Sequence, residues 1–389
     1  MASSSDVLMP IIHQAEHKST SFLCGLEELP DDLLVNILCQ LSDRLLVRCR
    51  CVCRTWNNLI SNVCIPKAFA ASPLCGLLYR GYKYGLSKNA FAGYIPYGQP
   101  LDLVPNNSQA FVNSYTALLP FENSPGDFCD CCSGLLLFVN LPILQFYVCN
   151  PVTKQCAAIP TSSAYAKPIH ASLAFNPSES PHYKVFCIDR MCSHILNLHI
   201  FSSDVGKWVT HLFTHNLRIY GTPKIMRAIY LNGSIFVCAT MLHMLIFSLS
   251  EEKSLSIELP EYKKHEYVAF FGVSKGCLYY SNHDNSILFL WRLEVNRWIL
   301  MHNICFNDLA KDPFGSVLCQ SHDFMIMPCA LHPTSNIIFL WCPRMIISYH
   351  LDNYTIELIC EMDKVSDILM GQYTVRVYTH WIGNLKGFN

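Results

Sequence analysis

The sequence predicts a small all-α module of short helices followed by a large all-β domain, a propeller of about six blades. Three observations support this prediction: apolar residues at helical spacing near the N-terminus, many short strand-like segments after them, and a repeat among those segments. The chain has 389 residues, which exceeds one typical domain. We therefore predict a disordered tail at residues 1–24, the helical module at 25–72 and the propeller at 73–389.

The helical module is predicted from apolar residues that recur at helical spacing. Asp31 and Asp32 mark the start of the first helix, because negative charge suits the N-terminal end of a helix dipole. The apolar residues that follow at helical spacing are Leu33, Leu34, Ile37, Leu38 and Leu41. A second set with the same period is Val52, Trp56, Leu59 and Ile60. Two or three short helices are therefore expected.

So small a helical unit cannot bury all these apolar groups by itself. Two interpretations remain open: the helices pack on the rest of the chain, or they dock on another protein. Burying about six aliphatic side chains gives about 10 kcal/mol or more, while association costs about 4–15 kcal/mol. Docking would therefore need well-packed anchors, and Pro30 and Trp56 are candidates. Packing of Trp56 on the following domain is an equally good alternative.

The residue order from Leu29 to Ile60 closely resembles an F-box, the helical segment by which many proteins bind the Skp adaptor of cullin-type ubiquitin ligases. The resemblance rests on Leu29-Pro30, the Leu-Leu and Ile-Leu pairs and the run Arg48-x-Arg50-Cys51-Val52-Cys53-Arg54-x-Trp56-x-x-Leu59-Ile60. Ser42 stands where a proline is usual and Leu45 where a small polar residue is usual, so no apolar anchor is lost. The adaptor-binding residues that the resemblance implies are Leu29, Pro30, Leu33, Leu34, Ile37, Leu38, Leu41, Leu46, Cys51, Val52, Arg54 and Trp56.

From residue 74 onward the sequence is typical of an all-β domain with an internal repeat. A strand, a polar turn and a return strand recur roughly every 50 residues, the period of a four-stranded propeller blade. The turns are Asn150–Lys154, Ser203–Trp208, Ser250–Lys253, Glu294–Trp298 and Asp352–Thr355. Glycines at 134, 233 and 276 are predicted to make tight turns into buried strands. We expect residues 75–128 and 365–389 to form a further blade that closes the ring by pairing the first and last strands.

The β region resembles the F-box-associated, kelch-like propeller of plant F-box proteins. The matching segments, in the order of that family, are Cys132–Leu137, Tyr147–Gln155, Leu173–Pro177, Pro181–Val185 and Gly206–Trp208. Cys156 stands where the family usually has tryptophan, and Ser133 where it has asparagine. The resemblance implies a receptor that brings a target protein near a separate conjugating enzyme. It implies no particular target, because the loops that would select one vary most.

Composition and charge argue against several classes of partner and cofactor. The 28 basic and 29 acidic residues nearly balance and form no basic run, so nucleic acid and anionic membranes are not expected as partners. Met1–Phe22 has no signal-peptide core, and the longest apolar runs are too short to span a bilayer. We expect a soluble protein of the cytoplasm, the nucleus or both. The 21 cysteines are interpreted as reduced packing residues, and Cys129-x-x-Cys132 has no second pair, so no metal or cofactor is expected.

Catalytic patterns are weak in this sequence. Gly272-Val273-Ser274-Lys275-Gly276 fits the nucleophile elbow of hydrolases, but a strand, not the required helix, is predicted after it. We therefore predict a non-catalytic subunit of a Skp–cullin–F-box ubiquitin ligase that binds the adaptor, reaches the cullin through it and holds a protein substrate. One alternative is a binding module that acts outside a cullin ligase. Another is a propeller glycan binder or hydrolase, whose aromatic side chains could come from Trp208, Trp291, Trp298 and Trp341.

Overall fold

The chain separates into two compact units, Met1–Ala70 and Ala71–Asn389. The structure is a computed structural model, and the predicted tail at residues 1–24 lies outside the residues it describes. These are residues 29–70, 74–82, 90–98, 117–121, 128–161, 170–192, 194–215, 228–238, 240, 242–260, 270–284, 286–309, 326–342, 345–361, 374–379, 381–383 and 385.

The first unit is helical, with four short helices where two or three were expected. They are α1 (Asp31–Leu38), α2 (Asp43–Cys49), α3 (Arg54–Leu59) and α4 (Ile65–Ala70), with a π-helical turn at Ile60–Cys64 between the last two. The carbonyl oxygen of Pro30 accepts hydrogen bonds from the backbone N–H groups of Leu33 and Leu34, which starts α1. At the start of α3, the Cys53 sulfur accepts a hydrogen bond of 3.4 Å from the Trp56 N–H.

The core of the helical unit lies between α1, α2 and the π-helical turn. α1 packs against that turn, and both elements contribute wholly buried side chains. The buried residues are Leu34, Val35, Leu38, Leu46, Ile60, Cys64 and Ile65. The buried residues of α1 are Leu34, Val35 and Leu38, at positions i, i+1 and i+4, so they share one side of the helix. Only this side of α1 packs into the core.

The described part of the second unit forms six antiparallel sheets, which confirms the predicted propeller of about six blades. Its first strands are β1 (Gly76–Tyr82), β2 (Ala90–Pro96), β3 (Phe128–Cys132), β4 (Leu135–Asn140), β5 (Gln145–Asn150), β6 (Gln155–Ala158), β7 (His170–Ala174), β8 (Lys184–Cys192), β9 (Ile195–Ser202) and β10 (Lys207–Thr214). They are followed by β11 (Ala228–Leu231), β12 (Ser234–Cys238), β13 (His243–Ser248), β14 (Lys253–Glu258), β15 (Phe270–Ser274), β16 (Cys277–His283), β17 (Ile287–Glu294) and β18 (Arg297–Cys305). A short helix, α5 (Phe306–Leu309), precedes β19 (Met327–Leu331), β20 (Ile337–Cys342), β21 (Met345–His350), β22 (Ile356–Glu361) and β23 (Thr374–Tyr378).

The sheets form a ring because each packs against its neighbours through its own apolar core. Sheets β3–β6, β7–β10, β11–β14, β15–β18 and β19–β22 have four strands each in chain order. Their first strands lie beside one another, as β3 does with β7 and β7 with β11, so the first strand is the innermost. Separate buried clusters of the described residues fill the spaces between five pairs of adjacent sheets. The outer strands β10 and β14 expose most of their side chains.

The ring closes by pairing the first and last strands, as predicted from the sequence. β1 pairs antiparallel with β23, from Gly76 opposite Tyr378 to Arg80 opposite Thr374, and β2 pairs with the other edge of β1. In the part of the chain that the structure describes, this closing sheet has three strands. β23 is its innermost strand and lies between β19 and β3.

A buried ion pair joins the last strand to the first four-stranded sheet. The Nε atom of Arg376 on β23 lies 2.6 Å from Oδ1 of Asp130 on β3, and both side chains are about nine-tenths buried. The second carboxylate oxygen of Asp130 accepts a hydrogen bond of 3.1 Å from the backbone N–H of Leu173 on β7. One carboxylate therefore connects three consecutive inner strands, β23, β3 and β7.

The segment after β23 is held by the turn between β5 and β6 of the first four-stranded sheet. The buried Asn150 amide donates hydrogen bonds to the carbonyl oxygens of Trp381 and Gly383, at 2.9 and 3.0 Å. The side-chain oxygen of Asn150 accepts hydrogen bonds from the N–H groups of Val152 and Thr153, in the turn that Asn150 begins. At the far end of that turn, Oε1 of Gln155 accepts from the Leu385 N–H at 2.7 Å.

Gly134 lies against this C-terminal segment, and we expect its replacement by alanine to be destabilising. Gly134, Gly233 and Gly276 have φ values of +84°, +76° and +69°, where an alanine costs about 1–2 kcal/mol. A Cβ at Gly134 would also lie 2.6 Å from the Trp381 nitrogen, whereas none would have a neighbour within 4 Å at Gly233 or Gly276. Gly134→Ala should therefore lower the free energy of unfolding by about 1–3 kcal/mol more than Gly233→Ala does. Chemical denaturation of the two variants checks this, and equal losses would contradict it.

Candidate functional site

The helix α1 carries apolar side chains on two sides. Leu34 and Leu38 are buried, but Leu33 and Ile37 are 52% and 48% exposed. Pro30, Leu33 and Ile37 follow each other at i, i+3 and i+7 and so share one side of the helix, which we call the outer face of α1. Pro30 is also exposed. A helix that is apolar on both sides is typical of a segment buried on both sides. The outer face is therefore suited to contact with another surface.

The predicted adaptor-binding residues divide into three groups by exposure. Those buried in the helical unit are Leu34, Leu38 and Leu46. Those half-buried are Leu29, Leu41 and Trp56. Those exposed are Pro30, Leu33, Ile37, Cys51, Val52 and Arg54. Only the exposed and half-buried groups can contact a partner without rearrangement of the helices, so the buried leucines position the others.

Sequence reasoning missed several apolar residues of the helical unit, including Cys64 and Ile65, which are buried. Val35 is buried beside Leu34 and Leu38, although it was not part of the predicted stripe. Leu45 is 47% exposed and adds to the apolar surface, although it was noted only as a departure from the F-box pattern. The helical period alone cannot place Leu45, because either member of the Leu-Leu pair at 45 and 46 fits an inward or an outward position.

Two cysteines of the helical unit, Cys53 and Cys64, have structural roles. Burial, together with the adjacent Cys39, raises the pKa of Cys64 to about 12, so it is a thiol at neutral pH. Cys53 serves as the N-terminal cap of α3. In the propeller, burial raises the pKa of Cys238 and Cys329 to about 12. These thiols have the character of packing residues and not of nucleophiles.

The hydrolase-like pattern around Ser274 does not form a nucleophile elbow. Ser274 ends β15, and after the turn at Lys275 and Gly276 the chain continues as β16, so the arrangement is strand, turn, strand. The Ser274 side chain is buried, and its Oγ donates a hydrogen bond of 2.6 Å to the carbonyl oxygen of His332. Cys129 and Cys132 lie on one strand, β3. Among the described residues, no three histidine, cysteine or acidic side chains are grouped as metal ligands.

The tryptophans named for a glycan site do not converge. Trp341 is buried in the core between the closing sheet and β19–β22, and Trp291 and Trp298 pack against the core between β11–β14 and β15–β18. Trp208 on β10 contacts the rings of Phe146 and Phe201. A groove of about 410 Å³ beside β10 and β14 has no tryptophan in its lining. These tryptophans therefore serve packing.

Comparisons with known proteins agree with both parts of this structure. A model of the F-box domain matches residues 26–67, and a model described as F-box protein At3g26010-like, β-propeller, matches residues 110–386. The F-box protein At5g07610 of Arabidopsis thaliana is 24% identical over 380 residues, which cover 85% of each chain. The Arabidopsis F-box protein At3g28330 is 23% identical over 373 residues, again 85% of each chain. No helix within the described ranges has the length and apolar character needed to cross a bilayer. The chain belongs to the family of F-box proteins with an At3g26010-like β-propeller.

Proposed function

We propose that this protein is the target-recognition subunit of a Skp–cullin–F-box ubiquitin ligase. The observation that supports this most directly is the outer face of α1, where Leu33 and Ile37 remain about half exposed beside a fully formed core. Apolar side chains held outward on a rigid helix are suited to insertion into a groove on a partner protein. The F-box match over residues 26–67 supports the Skp adaptor as that partner.

The adaptor contact would include all three exposure groups in different roles. Pro30, Leu33, Ile37 and Val52 supply exposed apolar surface, and Cys51 and Arg54 lie beside Val52 in the sequence. Leu29, Leu41 and Trp56 are half-buried and contribute their remaining surface. The residues that would hold these contacts in position from below are Leu34, Leu38 and Leu46.

The propeller would hold the protein to be ubiquitinated. Its six sheets form a closed scaffold, and recognition residues on such scaffolds lie commonly in the loops between strands. No chemical step is assigned to this chain. Instead, tethering raises the effective concentration of target lysines near a separate, ubiquitin-charged conjugating enzyme that the cullin recruits. Such a subunit would act in the cytoplasm, the nucleus or both.

The proposal predicts that the tagged full chain, isolated from plant cells, carries both the Skp adaptor and a cullin. Mass spectrometry of the isolated complex is the measurement. Adaptor without cullin would instead support a binding module that acts outside the ligase. Absence of the adaptor would contradict the proposal. Proximity labelling with the intact chain and with a variant that does not dock should then reveal targets, as proteins that accumulate on the variant.

A further inference from the structure

Two cysteines face each other across the hairpin of β5 and β6. Cys149 on β5 lies directly opposite Cys156 on β6 in the antiparallel register. The hydrogen bond from the Ile159 N–H to the Phe146 carbonyl oxygen marks 146 and 159 as a hydrogen-bonded pair. Along an antiparallel hairpin, hydrogen-bonded pairs of opposite residues alternate with non-hydrogen-bonded pairs. Residues 149 and 156 therefore form a non-hydrogen-bonded pair, whose Cα atoms lie about 4.5 Å apart. That separation lies at the short end of the range that a disulfide spans.

The environments of the two sulfurs differ in a way that assigns them different roles. Cys149 is completely buried, whereas Cys156 is half-buried and so accessible to a small oxidant. A hydrogen bond between the two side chains, together with burial, raises the pKa of Cys149. The same hydrogen bond lowers the pKa of Cys156, because the Cys149 thiol stabilises its thiolate. Cys156 is therefore the better nucleophile of the two.

We propose that Cys149 and Cys156 form a peroxide-sensitive dithiol that closes to a cross-strand disulfide. The Cys156 thiolate attacks one oxygen of hydrogen peroxide, the O–O bond breaks, hydroxide leaves, and Cys156 becomes a sulfenic acid. The Cys149 sulfur then attacks the Cys156 sulfur, the S–O bond breaks, and the Cys149 proton leaves with the hydroxyl group as water. Two thiols lose two electrons to the peroxide, and two water molecules form overall.

The disulfide would form beside the contacts that hold the C-terminal segment. Asn150 and Gln155, the next residues along the two strands, bind the backbone of Trp381, Gly383 and Leu385. Oxidation would therefore join the two strands covalently at the base of the turn that retains this segment. This site lies in the propeller and is independent of adaptor docking.

The test is peroxide titration of the reduced, folded full chain, followed by thiol blocking, trypsin digestion and mass spectrometry. Trypsin cuts after Lys154, between the two cysteines, and chymotrypsin added with it cuts after Phe138, which separates Cys149 from Cys129, Cys131 and Cys132. A disulfide then appears as a linked peptide pair that dithiothreitol releases. We expect this pair to form first, before any other cysteine is oxidised. Cys131 is an internal control for disulfide formation with Cys149. Leu136 lies between the two cysteines in the sheet, so they are two strands apart and should not be linked. Wild-type protein in which both cysteines remain thiols, or in which other linked pairs form equally early, would overturn the proposal.

Two variants test the assigned roles of the two sulfurs. In Cys149→Ala, the Cys156 sulfenic acid has no partner and should be trapped by dimedone. In Cys156→Ala, Cys149 should remain a thiol, because it is buried. Dimedone labelling of Cys149 in the second variant, or no labelling of Cys156 in the first, would contradict the assignment.

Discussion

Asp130→Ala should lower the free energy of unfolding of the propeller by about 3–5 kcal/mol. The substitution leaves the guanidinium group of Arg376 buried without the carboxylate that lies 2.6 Å away. It also removes the acceptor of the Leu173 N–H. Folded domains are stable by only about 5–15 kcal/mol, so the loss is a large share of the total. Chemical denaturation of the full chain, followed by fluorescence of the propeller tryptophans, is the measurement.

A paired substitution separates loss of charge balance from loss of packing. In Asp130→Leu combined with Arg376→Met, no buried charge remains, and much of the stability should return, because apolar replacements of buried ion pairs are often tolerated. Asp130→Asn keeps an acceptor for the Leu173 N–H. Its free energy of unfolding should therefore lie between those of Asp130→Ala and the double variant. If Asp130→Ala unfolds at the same denaturant concentration as the parent, the carboxylate does not stabilise the closed ring.

Leu33→Glu combined with Ile37→Lys should weaken binding of the Skp adaptor by at least about 100-fold. The two positions are four residues apart on the outer face of α1, and both side chains are about half exposed in the free chain. The variant places two charges where the proposed contact buries aliphatic groups. A glutamate followed four residues later by a lysine stabilises a helix by about 0.2–0.5 kcal/mol, so α1 should remain folded. Titration calorimetry with purified adaptor measures the change.

A matched control introduces the same two charged residues, glutamate and lysine, at exposed apolar positions on the propeller. Leu212 and Val209 on β10 are 65% and 53% exposed, close to the exposure of the two α1 residues. Leu212→Glu combined with Val209→Lys should therefore leave adaptor affinity unchanged. Unchanged affinity in the α1 variant, with circular dichroism showing intact helices, would mean that the outer face does not dock.

The repeat made much of the propeller predictable. Polar turns recurring at blade spacing implied successive hairpins, and the structure has them at Asn150–Lys154 and the equivalent positions. Gly134, Gly233 and Gly276 were predicted to make tight turns, and all three have positive φ values. The pairing of first and last strands followed from the need to cover the edges of a ring. These predictions succeeded because each depends on local chemistry that repeats.

Two features depend on the fold as a whole and could not be read from local patterns. Asp130 and Arg376 are 246 positions apart, and neither position signals the other until the ring has closed. On α1, Leu33, Leu34, Ile37 and Leu38 form one broad apolar stripe in the sequence, yet the structure buries only the second member of each pair. The boundary between the two sides is set by where the π-helical turn packs, which the helical period does not specify.

The pairing of Gly76 with Tyr378 means that the ring can close only after β23 has been synthesised. While the ribosome adds the intervening residues at about 5–20 per second, β1 waits with one hydrogen-bonding edge unoccupied. An unoccupied strand edge of this kind can recruit foreign strands. A chain truncated before β23 would therefore keep this edge of β1 unpaired and prone to pairing with strands of other chains.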